Sequence, residues 1–486
     1  TVDASATANF DLTPAISSKT SVGTQYYRRL FNGTLSWGID IVNGAANISA
    51  AAETFSNEVT TEDKTAGLFI EQQFGLNDRL FVTAAVRADD NSAFGRDFDL
   101  IYYPKASLSW IASEEDFFPE IGFLDQFRFR TAWGRSGLQP GSTAAIRTLA
   151  ADAITDPGDN TISGVSIGAI GNSLLEPEKS SEFEVGFDAD MFSGRMGVEF
   201  TYYDKTSKDA LIQIPLAPSL GASTTRWVNL GEVANSGYEL GINATILNAD
   251  DYSWDLAVSG SLNDNELVTL GEGTEPIGTT TRQVPGYPLG GQWNFPINGF
   301  SDMDGNGIIT TDELDIGAER EFAGPGLPQQ DLTFSSSFTL FNRVRLYGLL
   351  DHRGDYIAVN FTEAFRCRFR LCDAVVDRST SLADQARAVA YVYDGSQTTW
   401  GYMEPGDFWK LREVSATLFI PESWVSRINA SRASLTVTGR NLKTWTDYTG
   451  MDPEINSAGA DDNFGVQEFL TQPPVRYFTV RVNLSF

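Results

Sequence analysis

The chain has 486 residues, of which 42% are hydrophobic and 12% aromatic, and its formal net charge at pH 7 is −29. No stretch approaches the ~20 consecutive apolar residues of a transmembrane helix, which excludes the helical class of membrane proteins. A surface that binds nucleic acid requires a basic electrostatic field, so the acidic balance argues against a nucleic-acid partner.

Apolar and polar residues alternate along much of the chain with the period of two that is typical of β-strands. In 80–89, five aliphatic residues share one face and Thr83, Arg87 and Asp89 share the other. In 182–191, aromatic and aliphatic residues alternate with carboxylates, and carboxylates at every second position cannot face lipid. The pattern therefore predicts strands with lipid on one side and a wet interior on the other.

About fifteen such stretches have roughly the length that a tilted strand needs to cross a bilayer. They lie near 4–12, 16–28, 64–76, 78–89, 100–111, 124–136, 180–192, 194–206, 236–248, 252–264, 329–340, 342–353, 406–420, 431–443 and 475–486. The last stretch alternates up to the terminal Phe486, as expected for a strand that closes a barrel. The predicted fold class is therefore all-β, a transmembrane antiparallel β-barrel.

The connections between these stretches are unequal in length. Short turns near 75–78, 192–194, 248–251 and 340–342 alternate with long segments rich in Gly, Pro and Asp. The long segments are 137–179, 207–235, 265–328 and 354–405. Outer-membrane barrels place short turns in the periplasm and long loops outside, so we expect ligand contacts in the long segments.

One of the long segments contains a candidate metal site. Residues 302–313 fit the twelve-position calcium loop of EF-hands. The expected ligands are the side chains of Asp302, Asp304 and Asn306, the carbonyl of Ile308, Thr310 directly or through water, and Glu313 as a bidentate carboxylate. The flanks are not helical, so we predict a single structural Ca²⁺ loop that stiffens an external segment, the alternative being a solvated turn.

The chain contains two cysteines, Cys367 and Cys372, within a single long segment. An oxidising exterior favours a local disulfide between them. A reduced pair and a metal site are the alternatives, although only His352 is available as a further nitrogen ligand.

Motifs for catalysis are weak. Residues 164–168 satisfy G-x-S-x-G, but they lie in a segment rich in Gly, Ser and Asn without the strand, turn and helix that this motif requires. His352 would be the only possible base. We therefore expect no enzymatic activity.

Several sequence blocks together resemble a known family. Residues 176–186 (EPEKSSEFEVG) followed by 202–209 (YYDKTSKD) resemble a hairpin of SusC/RagA-type TonB-dependent outer-membrane transporters. Further blocks follow in the order of that family at 127–137, 233–240, 286–290, 406–413 and 435–454. The resemblance covers essentially the whole chain.

The resemblance implies a barrel of ~22 strands in the outer membrane of a Gram-negative, Bacteroidetes-like bacterium. It further implies uptake of oligosaccharides or peptides, driven through TonB, beneath a SusD-like surface lipoprotein. Membrane lipid and lipopolysaccharide would surround the barrel. Five aromatic residues of the long segments are candidate contacts for substrate or for the lipoprotein lid: Trp227, Trp293, Tyr393, Trp400 and Tyr402. The alternative is that they pack in the aromatic girdle of the barrel or within their own loops.

The family's N-terminal plug domain and first strands have no counterpart here, because Thr1 falls inside the barrel region. We therefore interpret 1–486 as the C-terminal part of the barrel. An unpaired strand edge in lipid is costly, so we expect a partner chain or further residues beside 4–12 and 475–486. The alternative function is a plug-less barrel that acts as a porin-like or structural component of a cell-envelope assembly.

Overall fold

The computed structural model describes residues 1–93, 100–217, 219, 225–271, 274–457 and 465–486. Within these ranges, fifteen strands pair with their neighbours in chain order to form one antiparallel sheet. The strands are Val2–Thr13, Ile16–Ile41, Ala51–Leu76, Leu80–Asn91, Ile101–Ile111, Leu124–Leu138, Glu178–Met191, Met196–Lys208, Glu232–Asn248, Tyr252–Thr269, Gln330–Leu340, Val344–Gly354, Phe408–Ile420, Arg432–Thr446 and Tyr477–Ser485. Each overlaps one predicted stretch, so the predicted fold class is confirmed.

The second and third strands are much longer than predicted. The sequence pattern predicts strands over 16–28 and 64–76, whereas the structure has Ile16–Ile41 and Ala51–Leu76, each of 26 residues. The ladder between them continues without a register shift as far as the pair Ile39 and Glu53. Adjacent residues of like character, Arg28 with Arg29 and Leu30 with Phe31, and the polar run 60–64 interrupt the simple alternation, so the sequence pattern predicts shorter strands here.

Polar side chains on one face of the sheet form ion pairs. In Leu80–Asn91, Arg87 Nε lies 2.8 Å from both carboxylate oxygens of Asp89, and Arg87 Nη2 lies 3.0 Å from Gln25 Oε1. On the opposite face of the same strands, apolar side chains are exposed, with Leu68 63% and Val82 44% exposed. This division is the one expected where one face meets lipid and the other meets water.

The chain divides into two compact units. The first comprises Thr1–Trp110, Thr131–Phe183 and Thr206–Glu232, and the second comprises Ile111–Arg130, Glu184–Lys205 and Val233–Phe486. The first unit also contains two short hairpins, which pair Thr148–Thr155 with Thr161–Ala169 and Leu211–Pro215 with Thr225–Asn229.

The second unit folds its long segments into small sheets. The first of these sheets has four strands, Ile277–Gly278, Thr281–Gln283, Gly291–Asn294 and Glu321–Gly324. The second sheet pairs Ile297–Phe300 with Leu314–Ile316. The third sheet contains Ile357–Asn360, Met403–Pro405 and Val466–Glu468. These segments are therefore folded elements with their own hydrogen-bonded ladders.

Short helices complete the second unit. The α-helices are α1 (Phe361–Arg368), α2 (Asp373–Val376), α3 (Leu382–Val392) and α4 (Glu422–Val425). Single 3₁₀ turns lie at Ile48–Ala50, Ala112–Glu114, Thr311–Glu313, Trp400–Tyr402 and Ser426–Ile428. The side chain of Ser381 caps α3 by accepting a hydrogen bond from Asp384 N. None of the helices in the described ranges is long and apolar enough to cross a bilayer.

Candidate functional site

The loop 302–313 places its acidic side chains around one point. Carboxylate oxygens of Asp302, Asp304 and Glu313 lie within 4.8 Å of one another. Gly305 and Gly307 have φ angles of 71° and 76°, a region that residues with a Cβ rarely adopt. The chain can therefore turn tightly enough to direct three carboxylates inward.

Backbone hydrogen bonds hold these side chains in place. Asp302 Oδ2 accepts from Gly307 N at 2.9 Å, and Asn306 Oδ1 accepts from Ile308 N at 2.7 Å. Glu313 Oε2 accepts from Thr310 N at 2.9 Å, and Glu313 Oε1 accepts from Met303 N at 2.8 Å. The Thr310 N–H lowers the pKa of Glu313; burial opposes this effect and the Met303 N–H adds to it.

The donor set suits a hard cation. Carboxylate and amide oxygens are the ligands that Ca²⁺ prefers, and positions 1, 3, 5 and 12 of the loop supply them here. Asn306 also lies beside Asp304, with Nδ2 2.7 Å from Asp304 Oδ2. Thr310 Oγ1 likewise lies 3.1 Å from Glu313 Oε2, so the structure brings together the side chains of five of the six expected ligand residues, and Ca²⁺ itself stays a prediction.

A buried glutamine ties this loop to helix α3. The Gln385 side chain, which is 4% exposed, accepts from Ile309 N at 3.1 Å and donates to the Gly307 carbonyl at 3.1 Å. Ile309 packs in a small core with Ala386 and Val389. Sequence reasoning missed Gln385, because it lies 76 residues from its partner and no local pattern marks it.

A disulfide closes the end of helix α1. Cys367 is bonded to Cys372, and both residues are buried in a core that also contains Tyr391 and Tyr402. Glu363 lies close enough to the two sulfurs to suggest a metal site by distance alone. Disulfide sulfurs are not thiolates, however, so in this form the three residues offer no such site.

A groove runs between the loop 302–313 and the helices. Its volume is about 480 Å³, and it is lined by loop residues 308–311, by residues 374–378 around α2, and by Tyr393 at the end of α3. The Tyr393 side chain is 50% exposed. Of the five aromatic residues predicted to contact a ligand, Tyr393 is therefore the most open.

Two of the other predicted contact residues are buried. Tyr402 is fully buried, its hydroxyl donates to Cys367 Sγ at 3.3 Å, and burial raises its pKa. Trp293 is 7% exposed and packs edge-on against Tyr287, with ring centroids 4.8 Å apart. Both are packing residues in this structure and offer no surface to a ligand, whereas Trp227 and Trp400 are partly exposed.

A buried charge cluster lies at the start of the strand Phe408–Ile420. Lys410 Nζ lies 2.7 Å and 2.8 Å from the two oxygens of Asp452 and 2.8 Å from Glu454 Oε2. Arg412 bridges Glu454 and Asp351. Burial by itself would raise the pKa of Glu454, but hydrogen bonds from Arg412 and Lys410 outweigh it and lower the pKa to about 2.

The antiparallel sheet of fifteen strands, its two chemically different faces and the folded long segments are the features expected of an outer-membrane β-barrel. The family model described as "TonB dependent receptor-like, beta-barrel" matches residues 1–442. The chain belongs to this family, which is one of outer-membrane receptors rather than enzymes.

Relatives agree with this assignment. TonB-dependent receptor P3 of Formosa agariphila is 25% identical over 90% of this chain and 47% of its own length. TonB-dependent receptor SusC of Bacteroides thetaiotaomicron is 27% identical over 44% of this chain and 22% of its own length. The SusC/RagA resemblance is thus confirmed, and the chain spans about half the length of the first of these relatives.

A solved structure of the RagAB peptide transporter shares the fold. It has a TM-score of 0.83 and 19% identity, and the match covers 100% of this chain and 55% of that one. At this level of identity the comparison shows the fold alone.

Proposed function

We propose that this chain forms part of an outer-membrane importer that takes up oligosaccharides or peptides together with a SusD-like surface lipoprotein, with energy supplied through TonB. The observation that carries the proposal is the family match over residues 1–442. The similarity to the TonB-dependent receptors P3 and SusC supports the receptor role, and the two substrate classes and the lipoprotein partner follow from the SusC/RagA resemblance of the sequence blocks.

The physical features fit this role. A face lined with ion pairs, such as Arg87 with Asp89, keeps water along the inner side of the wall. The groove beside Tyr393 offers an exposed ring to a sugar or a peptide side chain. The chain spans about half the length of TonB-dependent receptor P3, so the activity of a whole transporter is a proposal for these residues.

The test uses the full-length protein in its native host. Deletion of the gene is expected to abolish uptake of a labelled oligosaccharide or peptide, and loss of TonB is expected to have the same effect. Uptake that depends on the gene but persists without TonB would refute active import and favour the porin-like alternative. Deletion without effect on any substrate of either class would refute the proposal as a whole.

We propose in addition that residues 302–313 bind one structural Ca²⁺ through Asp302, Asp304, Asn306, Ile308, Thr310 and Glu313. The converging carboxylates of this loop support the proposal. The role would be to neutralise the mutual repulsion of the carboxylates and so to hold the loop against helix α3 through Gln385.

Calorimetric titration of Ca²⁺ into chelator-treated protein tests this proposal. External calcium modules bind with dissociation constants on the order of 10⁻⁴–10⁻³ M, and Asp304→Asn should weaken binding by about tenfold or more. The matched control is Asp312→Asn, which removes the same charge from an exposed position that is not a ligand position. Absence of calcium heat in the parent protein, or equal effects of the two variants, would refute the site.

A further inference from the structure

A disulfide closes a short loop at the end of helix α1. Cys367 and Cys372 enclose the residues 368–371 (Arg-Phe-Arg-Leu), all of which are exposed, and we refer to 368–371 as the stapled loop. The side chains of Phe369 and Leu371 are 59% and 66% exposed. The stapled loop thus presents two guanidinium groups and two apolar side chains at the surface.

The segment that carries the stapled loop lies between two strands that are paired along both edges. Val344–Gly354 pairs with Gln330–Leu340 on one side and with Phe408–Ile420 on the other. Phe408–Ile420 pairs in turn with Arg432–Thr446. The exposure of the stapled loop therefore does not depend on an unpaired edge of the sheet.

Backbone hydrogen bonds fix the conformation of the stapled loop. Arg370 N donates to the Cys367 carbonyl at 2.9 Å, and Leu371 N donates to the Arg366 carbonyl at 2.8 Å. These two bonds form the helix ending in which the residue after the C-cap is left-handed and is usually glycine. Here Arg370 takes that position, with a φ angle of 58°. A side chain at this φ costs stability that glycine would avoid, so the fold alone does not account for an arginine.

Two of the three arginines in this region have free guanidinium groups. Arg366 donates to Glu363 Oε2 at 2.7 Å and to the Leu371 carbonyl at 3.0 Å, so it stabilises the fold. The guanidinium groups of Arg368 and Arg370 have no such partner among the residues that the structure describes. Arg368 lies in the last turn of α1, where a positive charge offsets the partial negative charge of the helix end. Arg370 lies beyond the helix and has no such role.

The Phe369 ring is supported from one side. Its centroid lies 4.8 Å from that of Phe365, and the Phe365 ring lies 5.1 Å from that of Phe469. The rest of the Phe369 ring is open to a ligand. An aromatic ring packs against the apolar face of a sugar, and a guanidinium group binds a carboxylate or sulfate through two parallel hydrogen bonds.

The charge of the chain indicates the kind of ligand that the stapled loop selects. Most of this protein repels an anion, because its net charge is −29. Two unpaired arginines side by side in sequence with Phe369 offer an anion a local exception. A uronic acid or a sulfated sugar carries its anionic group directly on a rigid ring, whereas an acidic peptide carries its carboxylates on flexible side chains whose ordering costs entropy. The combination therefore favours a charged sugar.

We propose that the stapled loop binds an anionic oligosaccharide, one that carries carboxylate or sulfate groups, an inference that rests on the function proposed above and narrows its substrate class. Arg368 and Arg370 bind the anionic groups, and Phe369 packs against a sugar ring. The disulfide holds the three side chains on a fixed backbone, so less conformational entropy is lost on binding.

Calorimetric titration of the full-length transporter tests the site. The probes are a galacturonic acid trimer and a sulfated galactose oligomer, and an unsulfated galactose oligomer is the neutral control. We expect at least one anionic probe to bind more tightly than the neutral one, with an affinity that falls as salt is added. Equal affinity for charged and neutral probes, or binding of neither anionic probe, would overturn the inference. If the transporter nevertheless imports neutral oligosaccharides or peptides, the proposed function stands without it.

Variants of the loop locate the binding. Arg370→Gly should weaken binding of the anionic probe by about tenfold, and glycine at this position preserves the left-handed backbone. Arg368→Gln, at a helical position, should weaken binding by a similar factor. The matched control is Arg427→Gln, which removes the same charge from an exposed position in the connection 421–431, at the opposite end of the strand Phe408–Ile420. Loop variants that bind as tightly as this control would overturn the inference.

Other sources of anionic groups are separated by the same titration. A triglutamate peptide and lipopolysaccharide micelles replace the oligosaccharide as probes. We expect both to bind more weakly than the preferred anionic oligosaccharide. If either binds more tightly, and loses that affinity in Arg370→Gly, the stapled loop recognises an acidic peptide or a lipid phosphate and the inference is wrong.

Discussion

Replacement of Lys410 by Met tests whether the buried charge cluster holds the segment 447–457 against the sheet. Lys410 is 3% exposed and donates to both oxygens of Asp452, which is 7% exposed. Met fills a similar volume without charge. The variant therefore leaves Asp452 buried with no cation beside it, while Glu454 keeps Arg412.

The expected cost follows from these contacts. Removal of one partner from a buried ion pair destabilises by about 3–5 kcal/mol, because the remaining charge stays desolvated. In the variant, Asp452 Oδ1 still accepts a hydrogen bond from Glu454 N at 3.0 Å. Because the buried carboxylate keeps this partner, we expect a destabilisation near the lower limit, about 3 kcal/mol. A change of about 3 kcal/mol corresponds to a roughly 10²-fold increase in the opening of the segment.

Amide hydrogen exchange of residues 447–457 in the full-length protein measures this opening. The control is Arg440→Gln, which breaks the ion pair between the exposed Arg440 and Glu413 and should leave the exchange of residues 447–457 nearly unchanged. Lys410→Met combined with Asp452→Leu should recover part of the loss, since the stranded charge is removed. If Lys410→Met opens the segment no more than the control does, the cluster does not hold it in place and the reasoning is wrong.

Three further predictions concern the same unit. The pKa of Glu454 is lowered from 4.5 to about 2, so its contribution to the free energy of unfolding should be complete above pH 4.5 and lost as the pH falls from 4.5 towards 2. Amide hydrogen exchange of the loop that contains Glu454 should therefore become faster over that range. Glu454→Gln should abolish this pH dependence of exchange. Replacing Cys367 and Cys372 by Ser opens a short loop and should destabilise helix α1 by about 2 kcal/mol. Amide hydrogen exchange of the helix measures this loss, and an unchanged exchange rate would contradict the prediction. Gln385→Ala leaves the buried Ile309 N–H without its acceptor and should lower the free energy of unfolding by about 1–3 kcal/mol. The Ile309 amide hydrogen should then exchange faster with solvent. Unchanged protection of this amide would contradict the prediction.

The sheet was predictable because its signal is local. A side chain two residues away shares a face in any strand, so Phe478, Val480 and Val482 indicate a strand without knowledge of what that strand pairs with. The convergence of the carboxylates in the loop 302–313 was predictable for a similar reason, since Asp302 and Glu313 lie within twelve consecutive positions. The location of both features therefore followed from spacing alone.

The long segments were not predictable in the same way. The composition of 354–405 predicts a long loop, yet this segment contains three helices and the buried Tyr402. Aromatic residues in a segment rich in Gly and Asp suit ligand contact and core packing equally well. Only the burial of Trp293 and Tyr402, and the exposure of Tyr393, separate the two roles.

What the sequence by itself determined is the class of protein, its strands and one candidate metal loop, because each rests on a repeat or a motif of neighbouring residues. What only the tertiary structure decided is which distant groups meet: Gln385 with Ile309, Lys410 with Asp452, and Phe365 with Phe469. These pairs depend on how strands and helices are placed in space. A contact between residues far apart in sequence leaves no periodic trace in either segment, so physical proximity had to be observed.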